Sequence, residues 1–392
     1  MESRIAAPGA DPLLEWRAEF PILESTIYMV SHSLGAMPRG VGDEMIEYSR
    51  AWGSRGVRAW NEGWWDLPRQ TGNLLAGILG AESDSIVMVP NVTTAEAIVL
   101  SALDYPAGRN GLVCTELDFP SVLYLYEGEK ARGAEVKMAR SADGISIPTE
   151  NILALIDEHT RVVAISHVLF RSSYIVDIEP VIRRAREVGA LVMLDAYQSV
   201  GTVPLDVRAL NLDILVGGSV KWLCGGPGAG FLYVRPGLRE TLFPRFVGWM
   251  GHARPFSFEL EMDHAPNLYR FLNGTPHVPC LYAARPGYRM VDQIGVAAIR
   301  EKSQRLTRRL MSWGEEFGIP MRTPADPARR GGTVSFAVPH PGPVAEELIR
   351  REIIVDWRPE AGVRIAPHFY TREDEVDETM RQLREIAAAV GA

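Results

Sequence analysis

From Ser85 onward, short apolar runs alternate with stretches of helical length, in the order SIVMV, GLVCT, AEVKMA, RVVAISHV, LVMLD, DILVGGS and FLYV. Strands that alternate with helices in this way join through right-handed crossovers and build a mostly parallel sheet covered on both faces. The class is therefore α/β. Ligands of such sheets bind beyond the carboxyl ends of the strands. Thr93, Phe119, His167, Asp195 and Lys221 all fall at or just past predicted strand ends, so they are expected to face one crevice.

The stretch from Leu191 to Val234 carries the most chemistry. LVMLD ends in Asp195, and a carboxylate at the tip of a buried strand needs a cationic partner or hydrogen-bond donors, because an unpaired buried charge is costly. DILVGGS then delivers Lys221 just past the next strand end. An amine in a partly desolvated cleft loses proton affinity and becomes a nucleophile. Acid plus lysine is what pyridoxal 5'-phosphate (PLP) requires: the lysine holds the aldehyde, and the carboxylate keeps the pyridine nitrogen protonated so that the ring acts as an electron sink. The plain alternative makes Asp195 a turn cap and Lys221 a solvated side chain. The following GGPGAG is not GxGxxG, opens no helix and lacks the lysine spacing of a P-loop, which argues against a nucleotide; it reads as a tight turn that aims the lysine before the strand FLYV.

At 392 residues the chain exceeds one ordinary core, so a large and a small domain are expected. A formal net charge of -8 argues against nucleic-acid and anionic-membrane partners, which need a basic surface. No secretory leader and no run long enough to span a membrane is apparent. Cys114, Cys224 and Cys280 are too scattered for a disulfide framework or a zinc site. A cytoplasmic protein without a structural metal is expected, with Cys224 a small apolar filler.

Taken in order, PLLEWRAEF is a short amphipathic piece, and TIYMVSHSLGAMPRGV a strand running into a turn that holds Ser31, His32, Ser33 and Gly35. VGDEMIEYSRAWGSRGVRAWNEGWWDLPRQTGNLLAGILGA reads as helix, loop and helix, with Trp52, Trp60, Trp64 and Trp65 crowding the loop for core packing or for an interface. Asn91 to Thr94 open a helix whose free N–H groups and Thr93 and Thr94 hydroxyls suit a phosphate, although a simple cap explains them too. Phe119 before Pro120 and Ser121 can stack on a flat ring or serve as a hydrophobic staple. The Pro- and Gly-rich segment from Arg235 to Pro279 is a long irregular loop of the kind that carries functional or interface contacts. The remainder reads as a small α+β lobe containing Arg364, whose fork fits a substrate carboxylate or an acid of the same lobe.

Together IYMVSHSLGAMPR, the Trp-rich loop, NVTTAEA, the FPS joint, FRSSYIVDI, LDAYQSVG, SVKWL with its glycine turn, VGWMGHARPF, RFLNGTP and VRIAPHFYTREDEVD resemble the kynureninases, within the fold-type I PLP superfamily and its class V aminotransferase branch. The resemblance spans nearly the whole chain. It implies a large domain (31–280) with a mostly parallel seven-stranded sheet, a smaller α+β C-terminal domain (281–392), and an N-terminal arm (1–30) joining the small one. It implies Lys221 in Schiff-base linkage to PLP and Asp195 on the pyridine nitrogen. Phe119 would stack on the ring, Thr93, Thr94 and Ser121 would hold the phosphate, and Gln198 and Ser219 would complete the cofactor shell. Trp249 and Thr275 would reach the cofactor of a neighbouring subunit in a homodimer. Arg364 would grip the substrate α-carboxylate, with Ser33, His32 and Trp64 toward the substrate side chain. Hydrolytic Cβ–Cγ cleavage of L-kynurenine or a related amino acid follows as the first expectation, and a transaminase, epimerase or lyase as the alternative.

Three positions depart from the kynureninase pattern. Val220 replaces the tyrosine usual before the lysine, Gln198 a common histidine, and Leu169 an asparagine before the matched Arg171. Cofactor binding survives these changes better than kynurenine does as substrate. Cysteine desulfurase chemistry needs a loop cysteine that TPADPARRGGTVSF lacks.

Overall fold

The computed structural model describes residues 11–390, so the first ten residues of the expected N-terminal arm lie outside it. After a two-residue strand β1 (Ile27–Tyr28) come β2 (Ile86–Val89), β3 (Gly111–Thr115), β4 (Glu135–Ala139), β5 (Thr160–Ser166), β6 (Leu191–Asp195), β7 (Ile214–Gly218) and β8 (Gly230–Val234). These last seven form one sheet in the order β2-β8-β7-β6-β5-β3-β4. Every residue of β2, β3, β7 and β8 is buried, because helices cover both faces. The strands run parallel except β8, which pairs antiparallel with both β7 and β2. The glycine-rich turn after Lys221 therefore reverses the chain, as its sequence indicates.

The smaller C-terminal α+β part contains β9 (Val334–Phe336), β10 (Ile353–Ile354), β11 (Asp356–Arg358) and β12 (Gly362–Ile365). β11, β12 and β9 form an antiparallel sheet, and Met29, Leu306, Phe336, Val363 and Met380 share its core. The N-terminal ribbon joins this part: β1 pairs in parallel with β10, and Val30 bridges to Ala366. Arg17 fastens the preceding turn to the closing helix, donating to Glu375 at 2.6 Å and to the Tyr370 carbonyl at 3.0 Å. Between Arg235 and His277 the chain forms only single helical turns and one isolated bridge, His252 to His264, in keeping with the irregular loop expected.

Three imidazoles, His32, His167 and His368, lie in the interior, each at most 6% exposed. Burial pushes their pKa down to about 4, 4 and 3 respectively. The unfolded chain binds protons at these sites near pH 6.5 while the folded chain does not, so stability rises with pH across that window. The urea midpoint is expected to be highest above pH 7 and to fall steadily from pH 6.5 toward 4, less steeply in His368→Gln. Equal midpoints at pH 7.5 and 5 would contradict this.

Candidate active site

A crevice of about 620 Å³ opens beyond the carboxyl ends of β5, β6 and β7, and among the residues lining it are Thr93, Phe119, Asp195 and Lys221. His167, expected with them, is not among these. It follows Ser166, which does line the crevice, and successive side chains of an extended chain point to opposite sides. His167 instead lies against Arg300, whose charge helps to keep it neutral.

Lys221 sits in the tight turn after β7, where Cys224 N–H donates to its carbonyl at 3.0 Å and Gly225 N–H to that of Ser219 at 2.8 Å. The N-terminal ribbon presses on this turn, with Gly35 N–H donating to the Val220 carbonyl at 2.7 Å. A Cβ on Gly35 would lie 2.1 Å from the Lys221 carbonyl oxygen, which explains the glycine in SHSLG. The lysine Nζ lies 4.3 Å from the ring centroid of Tyr197 and 5.8 Å from that of Phe119. Burial lowers the lysine pKa, and attraction to Asp195 only partly offsets it. Burial likewise raises Asp195, although the Tyr197 N–H bonded to its Oδ1 at 2.7 Å favours the charged form. Nothing else in the described residues donates to the Asp195 side chain, so its second oxygen is free for an N–H in the crevice.

Tyr197 has no part in the sequence reading, yet it walls the lysine. Its ring packs on the backbone of β7, where a Cβ on Gly218 would come within 2.0 Å of Cε2. Gly218→Ala is expected to displace that ring, weaken PLP retention and cost about 1–3 kcal/mol of stability. Equilibrium dialysis and urea unfolding check this; unchanged retention would show that the ring's position is not needed.

The helix Val92–Ser101 points its N-terminus at the crevice. Asn91 caps it, accepting from Thr94 N–H at 2.9 Å and from the Thr94 hydroxyl at 3.1 Å. Thr94 is thus committed to the cap, whereas the hydroxyls of Thr93 and Ser121 have no partner among the described residues. Phe119 is 42% exposed and meets Phe170 edge-on at 5.1 Å, leaving a ring face for a ligand. The lysine, the open carboxylate oxygen, the ring and the free donors at a helix N-terminus fit a phosphorylated pyridine aldehyde. These residues would hold PLP.

At the other side of the crevice stand Arg364, Arg358, Ser33 and His32. Arg364 is bonded along its side edge and at one terminal nitrogen: Nε and Nη2 donate to Asp356 at 2.8 and 2.6 Å, and Nη1 to the Phe170 carbonyl at 2.7 Å. His32 Nε2 lies 3.0 Å from the same Asp356. Gln198 donates to the His32 carbonyl at 3.1 Å and accepts from Trp222 at 3.2 Å, joining the wall to the lysine turn.

Four expected site residues lie elsewhere. Ser219 is buried behind the turn, bonded to the Ala229 carbonyl and to Tyr288, so it braces the lysine rather than touching a ligand. Trp64 is buried against Tyr48 and donates to Tyr282 at 3.2 Å; it belongs to the core and not to the crevice. Trp64→Ala is expected to cost about 3–5 kcal/mol, read as a urea midpoint shift, and a loss below 1 kcal/mol would contradict the packing role. Trp52 lies on the helix Gly40–Arg55 and is exposed, so the tryptophan cluster divides between core and surface. Trp249 and Thr275 do not line their own chain's crevice; Trp249 stands among Trp65, Phe256 and Phe258 on an exposed loop. Asn91, Ser166, Phe170, Tyr197, Asp356 and Arg358 are the residues that sequence reasoning missed as site members. Only Asn91, at the start of a helix, carried a local signal.

The class-V aminotransferase family model matches residues 27–381. Kynureninase of Burkholderia mallei is 31% identical over 98% of this chain and 95% of its own length, and that of Pseudomonas fluorescens 31% over 97% and 94%. In fold, the apo cysteine desulfurase of Thermococcus onnurineus NA1 superposes with a TM-score of 0.83 over 98% of this chain and all of its own, at 23% identity. The cystine C-S lyase C-DES gives 0.85 over 94% and 99%, at 21% identity. At such identities these two structures speak to fold alone. With the matched model spanning most of the chain and relatives above 30% identity along its length, the protein belongs to the class-V aminotransferase and kynureninase superfamily of fold-type I, PLP-dependent enzymes.

Proposed function

We propose that this enzyme cleaves a side-chain bond of an α-amino acid in a lyase-type reaction, with kynureninase-type hydrolysis between Cβ and Cγ as the second reading. The observation that carries it is the pairing, across one crevice, of a low-affinity amine at Lys221 with a carboxylate-sized fork at Arg364. PLP, when bound, supplies an electron sink for charge left at the α-carbon. Lys221 would hold the aldehyde, and its Nζ is the base that would take the α-proton. Asp195 would keep the pyridine nitrogen protonated, Phe119 would cover the ring, and Thr93 and Ser121 would hold the phosphate. Arg364 orients the substrate through its carboxylate. Ser33 and His32 line the side-chain end.

Val220 and Gln198 support a substrate other than kynurenine, because the tyrosine that precedes the lysine in kynureninases is absent here. The kynureninase reading is supported by similarity over the full length of those relatives. We place the enzyme in the cytoplasm as a homodimer, in which the exposed loop with Trp249 and Thr275 meets the partner's cofactor. No described helix is long and apolar enough to cross a membrane. Incubation with L-kynurenine, followed for anthranilate, separates the two reactions. Anthranilate release at catalytic rates would overturn the first reading, and its absence alongside spectral responses to other amino acids would support it.

A further inference from the structure

We propose that Asp356 is a positioning residue that dictates which edge of Arg364 meets the substrate carboxylate; this rests on the reading that Arg364 receives that group. Asp356 and Arg364 face each other directly across the β11-β12 pair, so the backbone register itself sets their contact. A guanidinium has five N–H donors in a rigid fork. Asp356 takes the edge formed by Nε and Nη2, at 2.8 and 2.6 Å, and the Phe170 carbonyl takes one hydrogen of Nη1 at 2.7 Å. Two N–H groups remain, one on each terminal nitrogen. With the Phe170 carbonyl on the outer Nη1 hydrogen, as we propose, they form the pair that a second carboxylate accepts in bidentate fashion.

Asp356 is itself held from outside the pair. His32, on the N-terminal ribbon, reaches Oδ1 at 3.0 Å, and Arg358 reaches Oδ2 at 3.2 Å. Burial pushes the Asp356 carboxyl up, but the hydrogen bond from His32 and the bonds and charge of Arg364 outweigh it and keep the group ionised. His32, kept neutral by burial, donates from Nε2, and its Nδ1 has no partner. The carboxylate is therefore gripped by three side chains from two separate stretches of chain. Without it, the side edge of Arg364 would be open to the substrate, and the carboxylate would have two competing seats in place of one.

The test uses PLP-loaded enzyme and two probes read by visible absorbance, L-alanine and ethylamine, which is alanine without its carboxylate. Asp356→Asn is expected to raise the half-saturating L-alanine concentration about 10- to 100-fold, the value of a hydrogen bond to a charged group, and to leave ethylamine within about twofold. Asp356→Glu is expected to recover part of the loss, and His32→Gln to show a smaller loss of the same kind. Equal shifts for both probes would mean a merely structural role, and an unchanged alanine response in Asp356→Asn would also overturn the proposal. Arg364→Lys serves as the control for the underlying reading. If its alanine response equals the parent's, Arg364 does not receive the carboxylate, and the fault lies there rather than with Asp356.

Discussion

Lys221→Ala enzyme reconstituted with PLP is expected to lose the visible absorption of a lysine-linked cofactor and at least about 10⁴-fold in turnover. Two functions vanish with one amine: the covalent anchor of the aldehyde and the base for the α-proton. Among the described residues no other lysine lines the crevice, so no neighbour there can stand in. Burial lowers the proton affinity of the Lys221 amine, which favours the neutral form that both tasks use. A variant that keeps the parent's spectrum, or turns over within tenfold of it, would remove the basis of the assignment.

The second large effect is expected at Asp195. Asp195→Ala should lower kcat by about 10²–10³-fold, the usual loss when one aimed electrostatic group is deleted from a closed site. Asp118, a buried acid whose charge is felt at Asp195, has each of its oxygens bonded, by Thr115 N–H at 2.7 Å and by Ser166 N–H at 2.8 Å. The ring nitrogen would therefore lose its proton. Reconstitution with N-methylated PLP, which carries the ring charge without a proton, is expected to return much of the rate. Failure of that rescue, with cofactor still bound, would place the role of Asp195 elsewhere than at the nitrogen.

Much of the large sheet was legible because its strands are buried on both faces and so read as unbroken apolar runs. Asp195 and Lys221 stood out for the same reason, as charges at the ends of such runs. Parity was harder to see: His167 and Ser166 are adjacent in sequence, and only the pleat decides which of them faces the ligand. Tyr197 was hidden by its ordinary role two residues after an acid, since its place depends on the missing side chain at Gly218, 21 residues away. Asp356 escaped notice because its meaning comes from His32, 324 residues distant, and no local pattern encodes that contact. Arg364 illustrates the converse. Of the two partners its fork was expected to suit, the acid of its own lobe is present as Asp356 along one edge, while the substrate carboxylate on the terminal edge is our proposal.

The ribbon from Ile27 to Gly35 is stitched at one end to the C-terminal part through β10 and at the other to the carbonyl beside the lysine. A tilt of the C-terminal part would pull on this strap and be felt at the catalytic turn. The backbone of this ribbon is thus a direct mechanical path from the C-terminal part to the seat of the amine, and it carries His32 and Ser33 of the crevice wall along the way.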